Sequence, residues 1–514
     1  MKYYLSFDCG TQSTKTALYD EDFNCVCEKS YSNEIVYPNP GWAQMDANCY
    51  LEHVINGFAF CIKQAKVSSS DIAAICGDGI IMGIVGVDDD CKPVTPYTPY
   101  LDSRATEEAE YVKKQEPIWI KESGNAVIEH LQPPIMAMWM LKHNEDFKKR
   151  GAKILNNGPF VLANLAGLKA KDAFIDEATL GGWIIGYDAV QKRWSPRQLE
   201  ILGIDEKYLP RIVKPSEVVG YLSDEMAKKI GINAGLPIIA GAGDTMQSFL
   251  GCGIYEKGQA ADVAGTAAMF AIMTDGIKEE LSKSSGMYFS IASMPNTYFY
   301  WGYIRTGGLS LQWFRDKVRG RKNDSSFYDE ANDKASKTPA GANGVLFFPY
   351  LQGGDGFLSN ASSCFLNMTS KTELGELWRA ILESIGYEYM NLAKSMRTAG
   401  ASLSELTITE GGSRSWVWNQ IKADMLDVDV KTMRKKEGAT LSNAVLAAYA
   451  LGHIKDVKET LNKVLEVEKH FAPNKKLNKF YTLSHECYMD ILSVQMDLVF
   501  KSCHALRGLN KECL

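Results

Sequence analysis

The hydrophobic pattern opens on Met1–Phe7, an apolar run that reads as a buried strand and stops at Asp8. The turn Cys9-Gly10-Thr11-Gln12-Ser13-Thr14 follows, then a second strand over Lys15–Tyr19. The hairpin continues through Asn24–Tyr31 after the turn Asp20-Glu21-Asp22. The same style returns in the second half as Ala261–Phe270, with Gly265-Thr266 at its turn. Two strand–turn–strand units, one opening each half, predict two related lobes gripping one polyphosphate. Such turns aim several backbone N–H groups one way and so cradle anions.

Helical spacing predicts helices over Cys49–Lys66, Pro133–His143, Met246–Leu250, Leu309–Lys317, Glu373–Arg397, Val417–Leu426 and Ala439–Leu451. The Met- and Trp-rich Pro133–His143 reads as core, and the small residues of Ala439–Leu451 as close packing against a neighbour. Strands are expected at Asp71–Cys76, Ile84–Val87, Leu236–Ala240, Gly344–Tyr350 and Leu406–Thr409. Strands alternating with helices give an α/β class. The polar stretch Lys322–Lys337 is expected to be an exposed, mobile insertion.

A chain of 514 residues is too long for one core. The expected division is an N-terminal domain over 1–250 and a C-terminal domain over 251–514, with the boundary near Gly251–Gly258. A net charge of -6 argues against a nucleic-acid partner. The 12 Cys are scattered without a Cys-x-x-Cys, which reads as reduced thiols in a cytoplasmic protein. Asp8 interrupts the first apolar run too early for a signal peptide. Ile72–Val87 is too short and too polar to span a bilayer, so no membrane partner is expected. The 7 His show no metal-ligand spacing.

Four loops fall at strand ends, where α/β proteins bind ligands: Asp8–Thr14, Gly241–Thr245, Gly265–Ala268 and Gly411–Ser415. Neither a P-loop nor Gly-x-Gly-x-x-Gly occurs, so a bound nucleotide must be held by hairpin turns and a Gly-Gly cleft. An Asp at a strand end beside an anion cradle suits magnesium. Taken alone, Asp244 after Gly241-Ala242-Gly243 reads as a helix N-cap and Asp102 as a solvated loop carboxylate, while Arg104 reads equally as the partner of a loop carboxylate.

Several segments appear together in one order: Phe7–Lys15, Gly41-Trp42-Ala43-Gln44-Met45-Asp46, Leu101-Asp102-Ser103-Arg104, Ala240–Asp244, Gly265-Thr266, Phe348-Pro349-Tyr350-Leu351, and Gly411–Ser415 through Asn419-Gln420 to Ala423-Asp424. This set resembles the FGGY family of carbohydrate kinases over nearly the whole chain. The resemblance implies two actin-like, ribonuclease H-like ATPase lobes of the hexokinase/actin/Hsp70 superfamily, with a cleft between them. It implies transfer of the γ-phosphate of ATP to a small sugar or polyol, a ketopentose such as D-xylulose above others. Asp244 would be the general base and a substrate contact, and Asp8 would hold Mg2+. Thr11, Gln12, Ser13, Thr14 and Lys15 would cradle the γ-phosphate, and Gly265 and Thr266 the β-phosphate. Gly411, Gly412 and Asn419 would line the adenosine, and Met82, Asp102 and Arg104 would meet the acceptor. A homodimer is common in such families, and no interface is readable here.

Two departures matter. Gly79-Ile80-Ile81-Met82-Gly83 stands where ketopentose kinases of the family carry Gly-Gln-Met-His-Gly, and Tyr100 where Trp is common. Apolar side chains cannot hydrogen-bond a polyol, so this loop discriminates by shape alone. Leu351-Gln352-Gly353-Gly354-Asp355-Gly356 lacks the Glu and Arg usual in the family. The alternatives are another acceptor (glycerol, erythritol, ribulose or a deoxyketose), or a nucleotide-dependent sensor that transfers no phosphate; the presence of Asp244 argues against the second.

Overall fold

The structure is a computed structural model, and it describes residues 1–284, 286–354, 360–434 and 438–512. The chain forms two compact units, and neither is one continuous stretch. Unit 1 comprises Met1–Glu256, Met273–Tyr300 and Glu437–Glu466; unit 2 comprises Lys257–Ile272, Trp301–Lys436 and Val467–Leu514.

Unit 1 is built on strands β1 (Tyr3–Cys9), β2 (Ser13–Tyr19), β3 (Cys25–Ser32) and β4 (Ile72–Gly79). Helix α1 (Ala47–Ala65) lies between β3 and β4 in the chain. After it come β5 (Gly83–Val87), α2 (Pro133–His143), β6 (Val218–Tyr221), β7 (Pro237–Ile239) and α3 (Asp244–Leu250). The main sheet runs β6-β7-β4-β1-β2-β3. β1 pairs antiparallel with β2 and parallel with β4, and β4 is parallel to β7. Both faces are buried, as parallel strands require. Leu5, Phe7, Ile75 and Ile238 pack on one side with Val54 and Phe58 of α1. Tyr4, Ala74, Cys76 and Ile239 pack on the other with Leu441, Ala444 and Val445 of the helix Gly438–Ala450. That helix comes from late in the chain, and its small residues let it lie close against α3 and β4. β4 runs three residues past the expected Cys76, and this carries Asp78 into the sheet.

Unit 2 repeats the pattern. Its sheet contains β9-β8-β10-β11-β12 in that order, with β8 (Gln259–Ala264), β9 (Ala268–Thr274), β10 (Glu405–Thr409), β11 (Asp429–Met433) and β12 (Val467–Phe471). β8 and β9 form an antiparallel hairpin, and β8, β10 and β11 are parallel. Its helices include α4 (Gly307–Trp313), α5 (Ser326–Lys337), α6 (Leu374–Thr398) and α7 (Trp416–Leu426).

Lys322–Lys337 is not a mobile insertion. It contains α5, which buries Phe327, Ala331, Asn332 and Ala335 and packs on α6. Those four positions fall on one helical face, so a polar average conceals an apolar stripe. Among the described residues, no helix is long and apolar enough to cross a membrane. Asp355 and Gly356, part of the second departure, lie outside the described residues.

Candidate functional site

In unit 1 three carboxylates cluster at the ends of neighbouring elements. Asp8 is the penultimate residue of β1, and its register partners are Lys15 on β2 and Asp78 on β4. Asp78 is fully buried. Burial, then the Asp8 carboxylate, pushes its carboxyl well above the usual range. Asp244 occupies the first position of α3, after Gly243. The loop before it needs glycine: Gly241 has φ +73°, and a Cβ there would sit 1.9 Å from the Gly77 carbonyl oxygen.

The Asp244 carboxylate is held by its neighbours. Oδ1 accepts from Thr245 N (2.6 Å) and Thr245 Oγ1 (3.2 Å), and the Ile81 N–H also donates to the carboxylate. Burial and then Asp8 raise its pKa to about 7. A carboxyl tuned to neutrality and anchored by backbone is suited to take up a proton at physiological pH. The apolar loop therefore abuts this carboxylate, and Ile81 Cγ2 lies where a Cβ on Gly243 would be, 2.0 Å away. Ile80, Ile81 and Met82 are all buried. The loop's carbonyls are pinned too: Asn156 Nδ2 donates to Ile81 O (3.0 Å), and Tyr100 N to Met82 O (3.0 Å).

The turn after β1 is tied by Gly10 N to Ser13 O (3.0 Å) and by Asn33, whose Nδ2 donates to Gly10 O (2.8 Å). Thr11, Gln12, Ser13 and Lys15 keep at least partial exposure there. Thr14 does not: it is buried, and its hydroxyl donates to Asn33 Oδ1 (3.1 Å). Asp102 and Arg104 meet each other, with Nε to Oδ1 at 2.8 Å and Nη2 to Oδ2 at 2.6 Å. Asp102 also accepts from Arg104 N (2.9 Å) and Ala43 N (2.7 Å). These four bonds use a carboxylate's acceptor sites. The guanidinium stacks 3.8 Å from the Trp42 ring centroid and 4.9 Å from that of Trp139.

Unit 2 contains a cavity of about 630 Å3, a size typical of small-molecule sites. The β8–β9 turn (Ala264, Gly265, Thr266) forms one wall, and Gly411, Gly412, Arg414 and Ser415 another. Tyr328, Asp329 and Asn332 of α5 complete it with Trp378 and Trp418. The close approach requires Gly412, because a Cβ there would lie 2.3 Å from Ala264 Cβ. Glu410, just before, takes φ 61° and ψ -160°, a strained conformation for a side-chain-bearing residue. Asn419 is buried behind this loop, with Nδ2 donating to Ser413 O (2.8 Å), and so holds the wall from the rear. Beneath Trp418 lies an ion pair with both side chains fully buried, Lys422 Nζ to Asp262 Oδ2 at 2.5 Å. Tyr389 OH also donates to that aspartate (2.5 Å). Lys422 Nζ sits 3.6 Å from the Trp418 ring centroid, and burial lowers its pKa.

Two features were hidden in the sequence. Asp78 looked like a polar break in an apolar run, and the α5 wall looked like an insertion. Its only signal was the spacing of Phe327, Ala331 and Ala335.

Among the described residues, no group of three or more His, Cys, Asp or Glu is arranged to hold a metal ion. A magnesium ion at Asp8 would take its remaining ligands from water and phosphate, which is its habit. The residues fit that ion, since Asp8 presents a half-buried carboxylate near the end of β1, beside the Gly10–Ser13 turn.

Comparison with known proteins bears on the whole chain. Residues 3–251 match the N-terminal domain of the FGGY family of carbohydrate kinases, and residues 260–451 its C-terminal domain. A xylulose kinase from Staphylococcus epidermidis is 25% identical, covering 94% of this chain and 95% of its own. A gluconokinase from Bacillus subtilis is 24% identical, covering 94% of each. In three dimensions a xylulose kinase from Rhodospirillum rubrum aligns with TM-score 0.88 at 21% identity, covering 97% of this chain and all of the other (100%). A Plasmodium falciparum glycerol kinase with ADP aligns with TM-score 0.86 at 22% identity, covering 96% and 98%. These likenesses show that the chain shares the two-domain α/β fold of those structures.

Proposed function

Since the chain belongs to the FGGY family of carbohydrate kinases, we propose that it transfers the γ-phosphate of ATP to a hydroxyl of a ketopentose such as D-xylulose. The observation that carries this reading is Asp244, fixed by the Ile81 and Thr245 N–H groups and tuned to about 7. It accepts the proton of the attacking hydroxyl. Phosphoryl transfer needs little more from the protein than positioning and charge stabilisation. Thr11, Gln12, Ser13 and Lys15 receive the γ-phosphate at the β1–β2 turn, and Thr14 braces that turn through Asn33. The β8–β9 turn with Gly265 and Thr266 receives the β-phosphate, while Gly411 and Gly412 line the adenosine and Asn419 supports them. Bound Mg2+ supplies positive charge against the phosphate oxygens. Asp8 is the side chain assigned to hold it. Asp102 is saturated by Arg104 and Ala43, so we assign it to orienting Arg104 beside the acceptor. The scattered cysteines, without a Cys-x-x-Cys, and ATP as donor agree with a cytoplasmic enzyme.

A second acceptor class is favoured by the buried Ile80–Met82 loop, which abuts the base through Ile81. An acceptor lacking a hydroxyl on that side, such as a deoxyketose or a shorter polyol, loses nothing there. The test is ATP-dependent ADP release against ketopentoses, their deoxy analogues, gluconate, glycerol and erythritol. Turnover that is highest with a ketopentose supports the first acceptor; turnover that is highest with a deoxy or shorter polyol supports the second. No acceptor-dependent release from protein that binds ATP would overturn the kinase reading.

A further inference from the structure

The unit 2 cavity is lined by an amide whose orientation its neighbours dictate. Asn332, on α5, is 8% exposed. Its Oδ1 accepts from Trp378 Nε1 (3.0 Å) and from Ser415 Oγ (3.2 Å). An indole N–H can only donate, so the Asn332 atom facing Trp378 must be the oxygen. Nδ2 is thereby turned away, and it makes no hydrogen bond among the described residues. It is not sealed inside protein either, and so it opens on the cavity that Asn332 lines. Trp378 and Trp418 line the same cavity, and both of their N–H groups are engaged, the second with Leu382 O (3.1 Å). They offer the cavity ring carbon alone. The other hydrogen-bonding side chains of the lining, Ser326 and Asp329 among them, are exposed or half-buried. An inner wall of aromatic carbon with one fixed donor suits a flat ring that carries an in-plane acceptor.

We propose that Asn332 is the base-reading residue of this cavity, donating from Nδ2 to a ring nitrogen of adenine. This rests on the kinase reading above, in which the cavity receives the adenosine of ATP. The phosphates have their own cradle at the Gly265-Thr266 turn, which leaves the buried amide for the base. The bonds from Trp378 and Ser415 fix the amide before a base arrives, so little rotamer freedom is lost on binding. A base that covers Nδ2 without offering it an acceptor takes water from a donor and returns nothing. Such a base is selected against, because a site built to donate a hydrogen bond rejects the analogue that cannot accept it.

The experiment measures by calorimetry the binding of ADP and of its 1-deaza, 3-deaza and 7-deaza analogues, each of which exchanges one ring nitrogen for C–H. Wild type is expected to bind one of the three at least about threefold more weakly than ADP, the loss of one hydrogen bond. Asn332→Asp keeps an oxygen for Trp378 and Ser415 and removes the N–H. It should bind ADP at least about threefold more weakly and no longer distinguish ADP from that analogue. Asn332→Ala removes the donor without adding a charge and should lose the same distinction, which keeps the test open if the buried carboxylate of the first variant prevents folding. Wild type that binds all three analogues as tightly as ADP would overturn the inference and leave the kinase reading standing. So would an analogue penalty that persists in the folded variants. No ADP binding by folded wild type would overturn both.

Discussion

Gln247 donates its Nε2 to Asn443 Oδ1 at 2.6 Å, joining the helix that begins at Asp244 to the helix Gly438–Ala450. Asn443 passes the link on, because its Nδ2 donates to the Phe7 carbonyl (3.0 Å) and to Asp78. One buried amide therefore registers the helix that begins at Asp244 against β1, the strand that carries Asp8. Asn443→Ala leaves these groups unsatisfied and should cost about 1–3 kcal/mol in urea unfolding. It should also lower kcat more than it raises acceptor KM, since it displaces the base without removing a substrate contact.

Asp102 and Arg104 form a pair with side chains only 1% and 6% exposed. Removing one partner strands the other charge out of water, a loss of about 3–5 kcal/mol for a buried pair. Asp102→Asn should thus lower the urea midpoint of unit 1 clearly. Arg104→Lys should do so as well, because Lys cannot reproduce the two-pronged geometry or the stacking on Trp42.

The two loop glycines of unit 2 should behave differently. A Cβ at Gly412 meets Ala264 Cβ at 2.3 Å and the Trp418 ring at 3.0 Å, whereas a Cβ at Gly411 meets nothing within 4 Å. Gly412→Ala should therefore reduce stability by about 1–3 kcal/mol, the usual range for overpacking. Gly411→Ala should fold normally and raise the KM for ATP, because its methyl group enters the cavity. Thermal melts alongside ATP titrations separate the two.

The Gly411-Gly412 turn was legible as a strand-end loop, but its assignment to the nucleotide came from the family resemblance it shares with Asn419. The positions of Asp8 and Asp244 were legible, since each closes an apolar strand or its glycine loop where period and punctuation agree, while their assigned roles came from the family resemblance. Asp78 was not, because the strand was expected to stop at Cys76 and a buried carboxylate within β4 contradicts its surroundings. Asn443 was concealed in a helix of small residues whose partner is set by tertiary packing alone. Asp102 drew attention as an acceptor for sugar hydroxyls, yet its bonds to Arg104 and Ala43 depend on loop geometry that no local pattern encodes.

The raised Asp244 carboxyl gives two pH effects of defined sign. As a base it must be ionised, so kcat/KM should fall on acidification through about pH 7. Its folded value lies above the ordinary 3.8, so the folded state holds the proton more tightly. Its contribution to stability is then most favourable at low pH and declines as pH rises from about 4 to about 7. Asp244→Asn removes that decline. The Tm of the variant relative to wild type should increase between about pH 5 and pH 8, as followed by calorimetry in EDTA.

The most direct measurement is acceptor-dependent ADP release by Asp244→Asn beside wild type, with ATP and acceptor binding measured separately for both proteins. The account predicts that both ligands still bind the variant while kcat falls by about 10²–10⁴-fold, the usual contribution of a positioned general base. Turnover within a few-fold of wild type, with ligand binding unchanged, would contradict the assignment of Asp244 as the base.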